Sequence, residues 1–242
     1  MTRVGVVGAR GRMGQEVCRA VEADAELELV AQLDEGDDLR RLVETGCDVV
    51  VDFTVAAAAR TTLPFLAEHG IHAVVGTTGL SEEEQESLRA AFTTSNCLLA
   101  PNFAIGAVLM TRFAEMAAPF FETAEIVEYH HNAKVDAPSG TAKHTAERMA
   151  ASKADWADDP TEIEVFEGAR GGEGPAGIRV HAVRMVGVVA NQEVLLGTTG
   201  QTLAIRHDTV DRTSFMPGVV LACKRIGDHP GLTVGLDTYL GL

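Results

Sequence analysis

The stretch from Tyr129 to His144 (YHHNAKVDAPSGTAKH) gathers two lysines and three histidines within an otherwise acidic chain. It reads as the end of a strand, a loop and the start of a helix, with Ser139 as the N-cap. The backbone N–H groups of Gly140 and Thr141, with the Thr141 hydroxyl, make an anion site suited to a carboxylate. Lys134 offers a positive charge and a proton. His130 and His131 donate hydrogen bonds or relay protons near neutral pH. Adjacent histidines on a strand point to opposite faces, and no HExxH or carboxylate pattern accompanies them, so no metal site is expected. Asp136 reads as a turn former and His144 as structural. The bland alternative is a strand end and a capped helix carrying surface charges.

A second constellation lies at the N-terminus. Gly8-Ala9-Arg10-Gly11-Arg12-Met13-Gly14 sits between an apolar run, Val4 to Val7, and a helical stripe of Met13, Val17, Ala20 and Val21. The GxxGxxG spacing lets backbone approach a pyrophosphate, which rests on helix N–H groups and the positive end of the macrodipole. Asp34 ends the next strand, twenty residues after Gly14, where a carboxylate accepts from adenosine ribose hydroxyls. A tight connection without ligand is the plain alternative, but the strand–turn–helix setting favours a dinucleotide. Asp34 is followed by Glu35, and two carboxylates repel a 2′-phosphate; Arg10 and Arg12 lie near enough to attract one. Both NADH and NADPH are therefore expected to serve, NADH at least as well. Gly76-Thr77-Thr78-Gly79 and Ala100-Pro101-Asn102-Phe103 follow the fourth and fifth strands. Ligands of open α/β sheets bind beyond the carboxyl ends of strands. These loops are placed to line the nicotinamide half, where Thr and Asn hydrogen-bond a carboxamide and Phe103 covers a ring.

The elements that must position these residues follow an α/β rhythm over the first hundred residues. Strands are predicted at Leu27 to Leu33, Asp48 to Phe53, His72 to Val75 and Cys97 to Ala100. Helices are predicted from about Ala56 to Glu68, with Pro64 as a kink or restart point, and from the capping box Ser81/Glu84 through Phe92. Such alternation indicates a parallel sheet. Beyond a helix around Ala107 to Ala117 comes a strand from Ala124 to Tyr129. EIEVFE (162–167), GIRVHAVRMV (177–186), QEVLLG (192–197) and TLAIRH (202–207) then read as successive strands of a largely antiparallel sheet. Gly168 to Gly177 reads as a flexible loop, and Ser214 to Ile226 as the final helix with Pro217 in its first turn.

Twenty basic and thirty-five acidic residues leave a formal charge of −15 on 242 residues, of which 46% are hydrophobic. That composition excludes disorder. The acidic balance argues against nucleic acid or anionic lipid as a partner. Cys18, Cys47, Cys97 and Cys223 form no CxxC pair and read as buried apolar side chains. No apolar run is long enough for a membrane span, and a reducing cytoplasm fits best.

Taken together, GARGRMG, DFT at 52–54, GTTG at 76–79, APNF at 100–103 and HHxxKxDAPSGTA at 130–142 resemble the 4-hydroxy-tetrahydrodipicolinate reductase (dihydrodipicolinate reductase) family over essentially the whole chain. The resemblance implies an N-terminal Rossmann domain (residues 1–102) completed by the C-terminal helix (212–242), and a central α+β domain (103–211) for substrate binding and tetramer formation. It also implies a reaction of diaminopimelate and lysine synthesis: NAD(P)H-dependent reduction of a cyclic imine dicarboxylate. By the same resemblance His130 is the acid/base and Lys134 the proton donor. His131, Gly140 and Thr141 hold substrate carboxylates. Gly8, Ala9, Arg10, Gly11, Arg12, Met13, Asp34, Gly76, Thr77, Thr78, Ala100, Pro101, Asn102 and Phe103 hold the cofactor. Two departures stand out: Asn132-Ala133 where many relatives carry a further basic residue, and Glu35 where NADPH-preferring relatives often place Arg. The rival readings are another dehydrogenase acting on an amino or keto acid, and a nucleotide-sensing regulator, for which no helix with a basic DNA-reading face is evident.

Overall fold

The computed structural model describes residues 1–242. They form two compact units: Met1–Ile105 with Arg212–Leu242, and Gly106–Asp211. Residues 103–105, expected in the central part, thus belong to the first unit.

The first unit is built on a six-stranded parallel sheet. Its strands are β1 (Thr2–Val7), β2 (Leu27–Leu33), β3 (Val49–Asp52), β4 (His72–Val75), β5 (Cys97–Leu99) and, from the far end of the chain, a strand at Leu232–Val234. The spatial order is Leu232–Val234, β5, β4, β3, β1, β2. The runs VVVD and HAVV are almost wholly buried, as strands covered on both faces must be. Helices α1 (Arg12–Ala23), α2 (Arg40–Glu44), α3 (Ala56–Glu68) and α4 (Glu82–Ala91) alternate with them. One core packs Leu33, Leu42, Leu63, Leu66 and Phe92 together. The Ser81–Glu84 capping box forms at the start of α4, with Ser81 Oγ accepting from the Glu84 N–H and the Glu84 carboxylate accepting from the Ser81 N–H. Pro64 does not divide α3, which runs unbroken through it.

The second unit opens with α5 (Ile105–Ala117), whose first residue belongs to the first unit, and continues with β6 (Thr123–His130) and α6 (Gly140–Ser152). Strands β7 (Gly172–Glu173), β8 (Arg179–Arg184), β9 (Ala190–Thr198) and β10 (Gln201–Thr209) complete a five-stranded sheet in the order β10-β9-β6-β8-β7. Three of its pairings are antiparallel, whereas β6 and β8 run parallel. Along β6 alternate side chains share a face. Ile126 and Glu128 are fully buried there, and His130 is the next residue in that row. Ile126 joins Ala114, Ala146, Met149, Val180, Val194 and Leu196 in the core.

Three expectations are corrected. EIEVFE forms no strand: Ile163, Val165 and Phe166 are all exposed, so the alternation finds no sheet to join. The glycine-rich loop holds the short β7 and a 3-10 turn at Pro175–Gly177, held by the Gly174 N–H donating to the Ile178 carbonyl at 2.8 Å. The helix expected at 214–226 spans Met216–Arg225 as α7 and is not the last element. The edge strand β11 (Leu232–Val234) and α8 (Asp237–Leu240) follow it; three residues are too few to show a period.

Candidate functional site

In the first unit the glycine turn lies against the end of β2. The N–H groups of Gly8 and Ala9 both donate to the Leu33 carbonyl, at 2.9 and 3.0 Å. Gly8 has a φ of +80°, a region that L side chains rarely adopt. A Cβ on Gly14 would stand 2.0 Å from the Gly8 carbonyl oxygen, so only glycine lets α1 begin this close to β1. The N-cap of α1 is Gly11, which has no side chain with which to claim the first-turn amides.

Asp34 stands at the edge of this turn. Its carboxylate accepts from the Arg10 N–H at 2.7 Å and the Glu35 N–H at 2.9 Å, and these bonds hold its pKa below the ordinary range. Asp37 accepts from the Asp34 N–H at 2.8 Å and from the Arg10 guanidinium at 3.3 Å. Arg10 therefore lies between two acids, 3.6 Å from Asp34 and still largely exposed. Arg12 is exposed and Met13 half-buried.

The two loops beyond β4 and β5 meet around a cavity of about 170 Å³ lined by Thr77, Thr78, Leu99, Ala100, Pro101 and Val234. Asp52 at the end of β3 ties the β4 loop to the loop that follows its own strand. Its Oδ1 accepts from the Thr77 hydroxyl at 2.7 Å, the Thr54 hydroxyl at 2.7 Å and the Thr54 N–H at 2.9 Å. Its Oδ2 is buried with no hydrogen-bond partner. Gly76 lies against the Phe53 ring so closely that a Cβ would overlap it at 2.0 Å. Asn102 Oδ1 accepts from the Ala104 N–H at 2.8 Å, which fixes the turn. Phe103 departs from its expected part. Its ring is 2% exposed and packs on Phe53 at 5.6 Å between centroids, so it supports the loop from beneath. The cradle of Gly8, Gly11 and Gly14, the uncapped α1 terminus and the carboxylate of Asp34 beside them suit a dinucleotide.

In the second unit the basic cluster is organised by a residue that sequence reasoning passed over. Glu128 is fully buried, and four donors converge on its carboxylate. Oε2 accepts from His130 Nδ1 at 2.5 Å and Arg184 Nη1 at 2.8 Å. Oε1 accepts from Arg184 Nη2 at 2.8 Å and the Ser139 N–H at 3.1 Å. Burial alone pushes the Glu128 carboxyl up, but the His130 and Arg184 hydrogen bonds outweigh it and hold the group below the usual range. The Glu-x-His spacing along a strand could have flagged Glu128, since residues two apart share a face. Arg184 was beyond reach, because its place depends on the register that sets it opposite His130.

Lys134 is mostly covered, and its Nζ donates to both carboxylate oxygens of Asp136 at 2.8 Å. That bond keeps the Asp136 carboxyl low. Asp136 thus does more than turn the chain. Its carbonyl also accepts from Arg184 at 2.7 Å. His131 follows the strand, half-buried, and its carbonyl accepts from the Lys134 N–H at 3.1 Å. Ser139 caps α6 as expected, its Oγ accepting from the Ala142 N–H at 3.1 Å. Gly140 is exposed with open space around its Cα, and Thr141 is half-buried in the same turn.

A doubly covered parallel sheet with a glycine turn, an acid at the end of its second strand and a separate unit carrying clustered His and Lys is the arrangement of a nicotinamide-nucleotide-dependent oxidoreductase. Models of the N- and C-terminal parts of dihydrodipicolinate reductase match residues 2–103 and 106–240. The chain is similar to the 4-hydroxy-tetrahydrodipicolinate reductases of Nocardia farcinica (54% identity, 99% of both chains) and Mycobacterium marinum (51%, 99% of both). It is also similar to the solved structure of a dipicolinate-bound dihydrodipicolinate reductase from Paenisporosarcina sp. TG-14 (36% identity, TM-score 0.86, 98% of this chain and 99% of that one). An amine dehydrogenase from Mycobacterium smegmatis shares the fold alone, at 14% identity and TM-score 0.66 over 98% and 95% of the two chains. The chain belongs to the dihydrodipicolinate reductase family, the 4-hydroxy-tetrahydrodipicolinate reductases: NAD(P)H-dependent oxidoreductases of diaminopimelate and lysine biosynthesis. No helix is long and apolar enough to cross a membrane.

The low folded pKa of Glu128 ties stability to pH. Between the ordinary glutamate value, about 4.3, and the lower folded value, only the unfolded chain binds this proton. The contribution is complete above the ordinary value and is lost as pH falls through the folded one. Urea unfolding of wild type should therefore show stability falling with pH below about 5. Glu128→Gln should start about 3 kcal/mol lower at pH 7, as for a broken buried ion pair, and fall less steeply. Parallel curves for the two proteins would contradict this.

Proposed function

We propose that the second unit binds the dicarboxylate substrate through its basic cluster, with His130 as acid/base and Lys134 as proton donor. The observation that carries this reading is that His130, Lys134 and the N-terminus of α6 are tied into one hydrogen-bonded assembly through Glu128, Asp136 and Ser139. His131, Gly140 and Thr141 receive the substrate carboxylates. Each charge-assisted hydrogen bond to such a carboxylate contributes about 1.5–3 kcal/mol. The Lys134–Asp136 pair it displaces, whose carboxylate is exposed to water, is worth only about 0–1 kcal/mol. The dipicolinate bound to the Paenisporosarcina relative is a planar pyridine dicarboxylate, the class of ligand this donor set suits.

Gly8, Ala9, Arg10, Gly11, Arg12, Met13 and Asp34 hold the pyrophosphate and adenosine side of the cofactor. Gly76, Thr77, Thr78, Ala100, Pro101 and Asn102 line the nicotinamide side, with Phe103 as their support. When bound, the reduced nicotinamide supplies hydride. The protein's own residues do the rest: Lys134 gives a proton to the nitrogen side of the imine as negative charge develops there, and its fixed charge stabilises that build-up. An assay coupled to the synthase that makes the substrate tests the assignment. Lys134→Ala should retain NADH binding while turnover falls by roughly two or more orders of magnitude. Turnover near that of wild type would remove Lys134 from the mechanism.

The setting of Arg10 argues that NADH serves at least as well as NADPH. Asp34 and Asp37 already neutralise it and Glu35 adds a further carboxylate, so a 2′-phosphate gains little on entering. Paired assays should give NADH a kcat/KM at least equal to that of NADPH; a strong preference for NADPH would defeat this reading.

We further infer a cytoplasmic homotetramer without nucleic-acid partners. Leu195 is exposed on the face of β9 opposite the core residues Val194 and Leu196, beside the exposed Ala204 of β10, which leaves apolar surface on the outer face of the second sheet for a subunit contact. The four free cysteines accord with a reducing compartment. Sedimentation equilibrium should return four times the 25.7 kDa chain mass; a monomer at micromolar concentration would refute the tetramer.

A further inference from the structure

The reading of His130 as acid/base leaves a buried charge without a part in the chemistry. Glu128 and His130 are two apart on β6, so both side chains rise from the same face. Arg184 on the parallel neighbour β8 is in register with His130 and reaches back across the pair to grip both oxygens of Glu128 at 2.8 Å. The Ser139 N–H, where α6 begins, takes a further position on the same carboxylate. Every direction in which the Glu128 side chain could turn is thus held by a donor.

An ionised carboxylate accepts and does not donate. The nitrogen of His130 facing it, Nδ1 at 2.5 Å, must carry its proton. Nε2 is then the nitrogen that gains or gives a proton, with Nδ1 retaining its own throughout.

We propose that Glu128, clamped by Arg184, is the positioning residue that fixes the tautomer and ring orientation of His130 for proton transfer at Nε2. Arg184 has a second task. The bond from Nη2 to the Asp136 carbonyl fixes the loop whose carboxylate holds Lys134. One guanidinium therefore sets the places of both groups that exchange protons. Both terminal nitrogens of Arg184 are spent within the protein, their four N–H groups on Glu128, the Asp136 carbonyl and the Val183 carbonyl, so its forked end is scaffold and not a substrate anchor. This assignment rests on the acid/base reading of His130 and extends it to two residues that act through His130 and the Lys134 loop.

The test is a mutant cycle with a spectroscopic readout. Glu128→Gln presents an amide where the carboxylate stood. Its turnover should fall by about 10²-fold, within what a general acid or base contributes, with NADH affinity unchanged. Two-bond ¹H–¹⁵N correlations of the His130 ring should show the Nδ1–H tautomer in wild type and an increased share of Nε2–H in the variant. Glu128→Asp keeps the charge one methylene short and should recover part of the loss, and it serves if Glu128→Gln folds poorly. In a His130→Ala background Glu128→Gln should change turnover by no more than about twofold, because its effect passes through the missing ring. An equal fall in both backgrounds would make Glu128 structural only and overturn the proposal. A crippled His130→Ala beside an unaffected Glu128→Gln would overturn it while sparing His130. Wild-type turnover in His130→Ala would strike at the underlying reading itself.

Discussion

A carboxylate taken out of water loses several kilocalories per mole of hydration, which only closely placed donors return. Glu128 is fully buried and ionised, so the fold must deliver those donors, and it draws them from three places in the chain. His130 comes from the same strand, Arg184 from the parallel neighbour β8, and the Ser139 N–H from the start of α6. The requirement runs both ways. The charge is tolerable only if the strand register and the helix start are right, and once they are, His130 has little freedom left. The neighbouring row is polar as well: Gln192 donates to Thr145 Oγ1 at 2.9 Å, and that hydroxyl donates to the Thr141 carbonyl at 2.8 Å. Directional bonds rather than apolar packing therefore specify this end of the second unit.

The first unit solves a different problem. Its ligand loops leave the carboxyl ends of the strands, and close backbone approach fixes them. Gly14 lets α1 start against Gly8, and Gly76 lets the chain pass the Phe53 ring. Asp52 ties the β3 and β4 loops together through the Thr54 and Thr77 hydroxyls. Its two oxygens are unequal: Oδ1 accepts three bonds and Oδ2, equally shut off from water, none. An unsatisfied acceptor costs about 1–3 kcal/mol. Such a cost is tolerated where backbone placement matters more than local stability.

What the sequence disclosed follows from these two modes of construction. The doubly covered β4 announces itself as an apolar run, and the edge strand β2 by apolar residues at every second position (Leu27, Leu29, Ala31, Leu33), so both are bounded to the residue. The Ser81 and Ser139 caps were legible because capping is local chemistry. The GxxGxxG turn and the cluster at 130–141 stood out for the same reason. Arg184 was hidden because its meaning lies in the β6–β8 register, 56 residues from Glu128, and sequence spacing carries no trace of it. EIEVFE misled in the opposite direction. Alternation predicts a strand only where a neighbouring edge exists to receive it, and the stretch stays exposed without one. Phe103 was legible as an aromatic at a ligand loop, but its burial depended on Phe53, a contact between distant loops.

Charge placement explains how an acidic chain receives anionic ligands. Arg10, Lys134 and Arg184 all carry carboxylate partners of the chain's own, so none is a bare cation. They differ in how firmly those partners are held. Glu128 is wholly buried and bonded on every side, and no incoming anion can displace it without leaving a buried charge unpaired. Asp136 is 61% exposed on its side chain and can swing into water at little cost. Lys134 can therefore trade one carboxylate for another, whereas Arg184 cannot. Arg10 lies between the two cases, since Asp34 and Asp37 are each partly covered and fastened by backbone N–H groups or by Arg10 itself. Exposure of the partner, rather than the number of positive charges, decides which cation is available for binding and which serves as scaffold.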